Sequence, residues 1–104
     1  MPQFDVYSNP DASSSARFPF LLDIQSDLLE SLATRVVVPL AAATDGATPM
    51  ARLMPVFEVA DRRLVMRTAE MAGVPRKAIG ARVGSLAGRR HEIVAALDVL
   101  ISGV

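Results

Sequence analysis

Few side chains in this sequence are of types that carry chemistry, and their spacing limits what they can do. The single histidine, His91, has the one side chain whose ordinary pKa suits a general base near neutrality, but no nucleophile stands beside it and the local pattern puts it on the solvent face of a helix. The absence of cysteine removes disulfides, thiolate nucleophiles and sulfur metal sites, and is compatible with a reducing cytoplasm. The stretch DIQSDLLE brings Asp23, Asp27 and Glu30 close together, as a cation site requires. It lacks the dense run of oxygen ligands that calcium loops use, so these carboxylates read as solvated charge. In GARVGSLAG, Gly80, Gly84 and Gly88 recur at a helix-contact spacing, yet the setting is polar and includes Arg82, so they read as turn chemistry. There is no phosphate loop, zinc spacing or nucleophile elbow. The residues therefore point to binding, with no catalytic, cofactor or metal site.

The elements that must position a binding surface can be read from hydrophobic periodicity. QFDVYS alternates Phe4 and Val6 against Gln3, Asp5 and Tyr7, as a half-buried strand does. NPDASSSA is a loop, and RFPFLLDIQ is an apolar run whose Pro19 suits a strand edge or bulge. TRVVVPLAAA is a β-branched run interrupted by Pro39. MARLMPVFEV and RRLVMRT read as two strands joined by a tight turn around Ala60 to Arg62, making about five strands before residue 70. In AEMAGVPRKAIG, Gly73 and Pro75 permit only a short helix or turn. From Ser85, a plausible N-cap, the period becomes helical: Leu86, Ile93, Leu97, Leu100 and Val104 share one stripe, with His91, Ala95, Asp98 and Ser102 opposite. The expected fold is α+β and mainly β, a small barrel of antiparallel strands closed by a C-terminal helix.

At 104 residues, 51% hydrophobic and 21% charged, residues 1–104 form one domain with enough apolar mass for a single core. So small a core gains readily from a shared surface, which makes a homodimer the expected assembly. No run is long and apolar enough to span a bilayer and the first twenty residues do not read as a signal peptide, so the expected location is cytoplasmic, without a membrane partner. Zero net charge argues against general nucleic-acid affinity. The charge is nevertheless uneven: residues 1–61 hold eight acidic and three basic side chains, and residues 62–104 hold three and eight. Either the halves interleave in the fold, or the basic half receives an acidic partner.

The order of QFDVY, DIQSDLL (23–29), VVVPLA (36–41), RTAEMAGVP (67–75) and AIG (78–80), with a terminal helix ending in glycine and a branched apolar residue, resembles the CcdB family of plasmid and chromosomal toxins. The resemblance covers nearly the whole chain. It implies an SH3-like barrel with a C-terminal helix, built as a homodimer. It further implies a toxin that is not an enzyme, binds the dimerisation region of the DNA gyrase A subunit and traps gyrase on cleaved DNA. A CcdA-like antitoxin with a disordered acidic segment would neutralise it, touching DNA only in that complex, with autoregulated transcription and a role such as plasmid maintenance. The gyrase-facing positions it implies are Ser26, Leu28, Asp98, Ser102, Gly103 and Val104. The better-known members have asparagine where Asp98 stands and tryptophan where Ser102 stands. Losing the aromatic anchor, with the charge that Asp98 adds on the same face, implies gyrase poisoning that is weak or absent, or a different target. Two other readings compete: a non-toxic homologue that keeps only antitoxin binding, and an endoribonuclease on the related MazF barrel.

Overall fold

A computed structural model describes residues 1–43 and 50–103. Among the described residues seven strands, β1 (Asp5–Ser8), β2 (Phe20–Asp23), β3 (Thr34–Ala42), β4 (Val56–Val59), β5 (Arg62–Met66), β6 (Ala72–Pro75) and β7 (Arg82–Ser85), precede one helix, α1 (Arg90–Ser102). Four 3₁₀ turns link them: η1 (Asp27–Leu29), η2 (Thr68–Glu70), η3 (Arg76–Ala78) and η4 (Ala87–Arg89). The strands pair antiparallel in the order β4-β5-β3-β2-β1-β7, with β6 added alongside β3. The sheet curls until its ends approach: a Cβ at Gly84 in β7 would lie 3.5 Å from Val59 in β4. This is the expected mainly-β barrel with a C-terminal helix.

The hub is β3. One edge pairs with β2; the other pairs first with β6, from Thr34↔Pro75 to Val37↔Ala72, and then with β5, from Leu40↔Met66. Pro39 falls between those two partners, where a missing N–H removes no rung from either ladder, and its carbonyl still accepts from the Arg67 N–H at 3.0 Å. The strand therefore runs unbroken through a residue that, in sequence, reads as an interruption. The β4–β5 hairpin closes at Val59↔Arg62 through Ala60 and Asp61, with φ of 51° and 62°, the two-residue turn whose twist matches paired strands.

The core lies inside the curl. Val6, Leu22, Val38, Leu40, Phe57, Leu64 and Met66 project inward and meet Leu86, Ile93 and Ala96 of the C-terminal segment. Strand β1 is not half-buried as its alternation implies, because Asp5 and Tyr7 on its outer face are buried as well. There Asp5 is paired with Arg82 at 2.7 Å, and burial, followed by the nearby Asp5 and Asp23 carboxylates, pushes the Tyr7 hydroxyl up.

Two segments read as turns prove to contain strands. Ala72–Pro75 pairs with β3 despite Gly73 and Pro75, since a four-residue strand on one edge needs few N–H donors. Gly84 lies within β7, and Gly80 is a contact glycine, because a Cβ there would sit 2.1 Å from the Ser8 Oγ and 2.8 Å from the Ser8 carbonyl oxygen. The helix also starts later than Ser85 implies. Ser85 ends β7 and its Oγ accepts from the Ala87 N–H, Gly88 occupies η4, and the α-helix begins at Arg90. Its buried residues are Ile93 and Ala96, with Leu97 and Leu100 half-buried beside them, while His91, Asp98 and Ser102 face solvent. Val104, the end of the expected stripe, lies outside the described residues.

The uneven charge interleaves: Asp5 meets Arg82, Glu30 meets Arg76, and Glu70 meets Arg17 at 3.7 Å. No helix among the described residues is long and apolar enough to cross a membrane.

Candidate functional site

The chain leaves β2 at Asp23 and turns through η1 before β3 begins, and this turn carries Ser26 and Leu28. The Ser26 Oγ accepts from the Leu28 N–H at 3.2 Å, the local capping bond that shapes a short turn. Leu28 is 92% exposed, and Leu29 and Leu32 are close to half exposed. The turn that presents it is tied to the N-terminal segment, to Gln25 and to Arg76. The Asp27 carboxylate accepts from the Gln3 N–H at 2.8 Å, Gln25 bridges to the Leu29 carbonyl at 3.0 Å, and Arg76 donates to the carbonyls of Glu30 and Leu32.

Beneath the turn lies a buried polar network. Arg35, without solvent exposure, donates to Asp23, to the Met1 carbonyl and to Glu30. Burial pushes the Asp23 carboxyl up, against the opposing pull of the Gln25 N–H and the Arg35 guanidinium. The Met1 ammonium bonded to Glu30 holds that carboxyl below its ordinary range, with Arg35 and Arg76 adding to the effect. The three carboxylates of DIQSDLLE therefore have separate tasks: Asp23 is a buried counter-ion rather than solvated charge, Asp27 holds the N-terminal segment, and Glu30 gathers cations.

The other candidate positions stand elsewhere. Asp98 and Ser102 face solvent on α1, where the Ser102 Oγ donates to the Asp98 carbonyl at 2.7 Å and so closes on its own helix. Gly103 takes the left-handed conformation, φ 77°, and donates to the Val99 carbonyl at 3.0 Å, the capping geometry that favours glycine. Ile101 beside them is 77% exposed. Val104 lies outside the described residues.

Within one chain these positions form two patches. Arg90, at the first turn of α1, donates to the Gln3 side chain at 3.2 Å, and Gln3 in turn holds Asp27. So η1 adjoins the start of the helix, whereas Asp98 and Ser102 lie eight and twelve residues beyond Arg90, about 12 and 18 Å along the axis. His91 stands exposed near the helix start, next to an Arg89–Glu92 bond at 2.6 Å.

Comparison with known proteins decides what kind of protein this is. The CcdB protein family profile matches residues 3–103. The chain belongs to the CcdB family. That places it among toxin–antitoxin proteins and supports an antitoxin as a partner. A solved structure described as an endoribonuclease in complex with its cognate antitoxin, from Mycobacterial species, superposes with a TM-score of 0.73 at 16% identity, covering 95% of this chain and 92% of that one. At that identity the likeness shows a shared fold.

Sequence reasoning assigned no role to Gln25, Arg35 or Arg76, and did not single out Leu29 or Leu32. Arg35 did leave a signal, as one charge inside the β-branched run TRVVV, where only a buried partner could accommodate it.

Proposed function

We propose that this CcdB-family chain is a single-domain toxin that acts as a homodimer on the gyrase A subunit, binding its dimerisation region and trapping gyrase on cleaved DNA. A CcdA-like antitoxin neutralises it and joins it in repressing their transcription. The observation that carries this reading is Leu28, held out on a hydrogen-bonded turn, at a position that the family resemblance assigns to the gyrase-facing surface. Burying such a side chain in a partner's pocket contributes on the order of 1.5 to 3 kcal/mol, and the fixed turn spares the ordering cost. Arg62, Arg63 and Lys77 are exposed without an ion-pair partner among the described residues, which suits an acidic antitoxin segment.

A second reading, a homologue that binds antitoxin but not gyrase, is favoured by the helix end. Ser102 presents neither aromatic area nor a free hydroxyl, since its hydroxyl is spent on the Asp98 carbonyl. Induced expression separates the two: growth arrest relieved by gyrase A carrying resistance substitutions supports the first. Normal growth with tight binding of an antitoxin peptide supports the second. RNA incubated with the purified protein is expected to remain intact, and cleavage would instead support the endoribonuclease reading.

A further inference from the structure

Gln25 occupies the point where the β2–β3 ladder gives way to η1. Its side-chain carbonyl accepts from the Val36 N–H at 3.0 Å, and its side-chain amide donates to the Leu29 carbonyl at 3.0 Å. Its own backbone N–H donates to Asp23 at 2.9 Å. The backbone rung expected at this place is half formed: the Ile24 N–H reaches the Val36 carbonyl, but the Ile24 carbonyl is taken by the Gln3 side chain at 3.1 Å. The Gln25 amide group thus completes the ladder on one side and holds the last residue of η1 on the other. A side chain that is 6% exposed and satisfied at both ends has little freedom, so the turn inherits the position of the central strand.

We infer that Gln25 is a positioning residue for target recognition, acting through η1 to fix the direction in which Leu28 projects. Only a side chain bearing both an acceptor and a donor, at glutamine's length, can span from β3 to η1. The inference rests on the proposed role of Leu28 and adds the residue on which its aim depends.

The test has two arms on the full chain. Gln25→Met keeps the side chain's bulk and removes both bonds. In the first arm, amide hydrogen exchange is expected to rise at least about tenfold at Leu28 and Leu29, and at Val36 whose N–H loses its acceptor, with the other amides of β1–β3 unchanged. Equal acceleration throughout the sheet, or none at η1, overturns the inference. In the second arm, affinity for the dimerisation region of gyrase A is measured for Gln25→Met, Leu28→Ala and the double variant. Gln25→Met is expected to weaken binding about tenfold alone and to add almost nothing once Leu28 is alanine. The same weakening in both backgrounds overturns the inference. If Leu28→Ala binds as tightly as the wild type, the gyrase reading of η1 falls, and the exchange arm decides the positioning role.

Discussion

The Arg35 guanidinium donates from Nε and Nη2 to one carboxylate oxygen of Asp23, at 3.0 and 2.6 Å, and neither side chain has any exposure to solvent. The other Asp23 oxygen accepts from the Gln25 N–H, so the pair joins β2 and β3 at the root of the turn that carries Leu28. Removing Arg35 leaves the Asp23 carboxyl without its cation in a site that water does not reach, and removing Asp23 leaves the buried Arg35 with only the Met1 carbonyl and the longer contact to Glu30. Asp23→Leu and Arg35→Met are each expected to cost about 3 to 5 kcal/mol in chemical denaturation, and the double variant less than their sum. Additive losses would show that the two groups do not act as a pair.

Gly80 sits against Ser8 so closely that any side chain must displace backbone, since the Ser8 carbonyl oxygen is 2.8 Å from the position of a Cβ. Gly80→Ala is expected to destabilise the fold by about 1 to 3 kcal/mol. Adding Ser8→Gly removes the hydroxyl clash but leaves the backbone one and takes away the acceptor of the Ala81 N–H, so it is expected to recover at most a small part of the loss of thermal stability.

The pH dependence of stability has a defined sign at Glu30. Its carboxyl is held below the ordinary 4.5, so the folded state binds fewer protons there than the unfolded chain. The resulting stabilisation is complete above that ordinary value and is lost as pH falls through the lowered one. Asp23 runs the opposite way, since its raised pKa gives a contribution lost as pH rises through the folded value. Urea midpoints of wild type and Glu30→Gln, followed between about pH 3 and 6, are therefore expected to converge as the solution becomes acidic. A constant difference across that range would contradict the assignment.

At the helix end, Ser102→Trp restores the aromatic residue that better-known members of the family carry. The substitution also frees the Asp98 carbonyl from its bond to the serine hydroxyl. Affinity for gyrase A is expected to rise by about 2 kcal/mol, roughly thirtyfold, as measured by titration calorimetry. No gain would place the helix end outside the gyrase interface.

Much of the fold is legible in the sequence because its strands are apolar and β-branched. Phe20–Asp23, Thr34–Ala42 and the Val56–Met66 hairpin all announce themselves, and the helix is visible from Ile93 and Leu97. Strands β6 and β7 do not show in the sequence because Gly73 and Pro75 in the one and Gly84 in the other lower strand propensity, while tertiary pairing decides their state. The helix start is not legible because Ser85 has the side chain of a cap but serves η4 instead. Ser26 and Leu28 could be located by family resemblance, but the rigidity of their turn could not. It depends on Gln3, Arg35 and Arg76, which lie far from η1 in sequence or in another strand and reach it only in three dimensions.

The most direct measurement is the affinity of the full chain for the dimerisation region of gyrase A, compared between wild type and Leu28→Ala. Leu28 is almost wholly exposed, so its truncation costs the fold little and any loss of binding reports on contact. The expected result is saturable binding by the wild type that weakens by roughly thirtyfold or more in Leu28→Ala. Equal affinity of the two proteins, or no binding by the wild type, would contradict recognition of gyrase through η1.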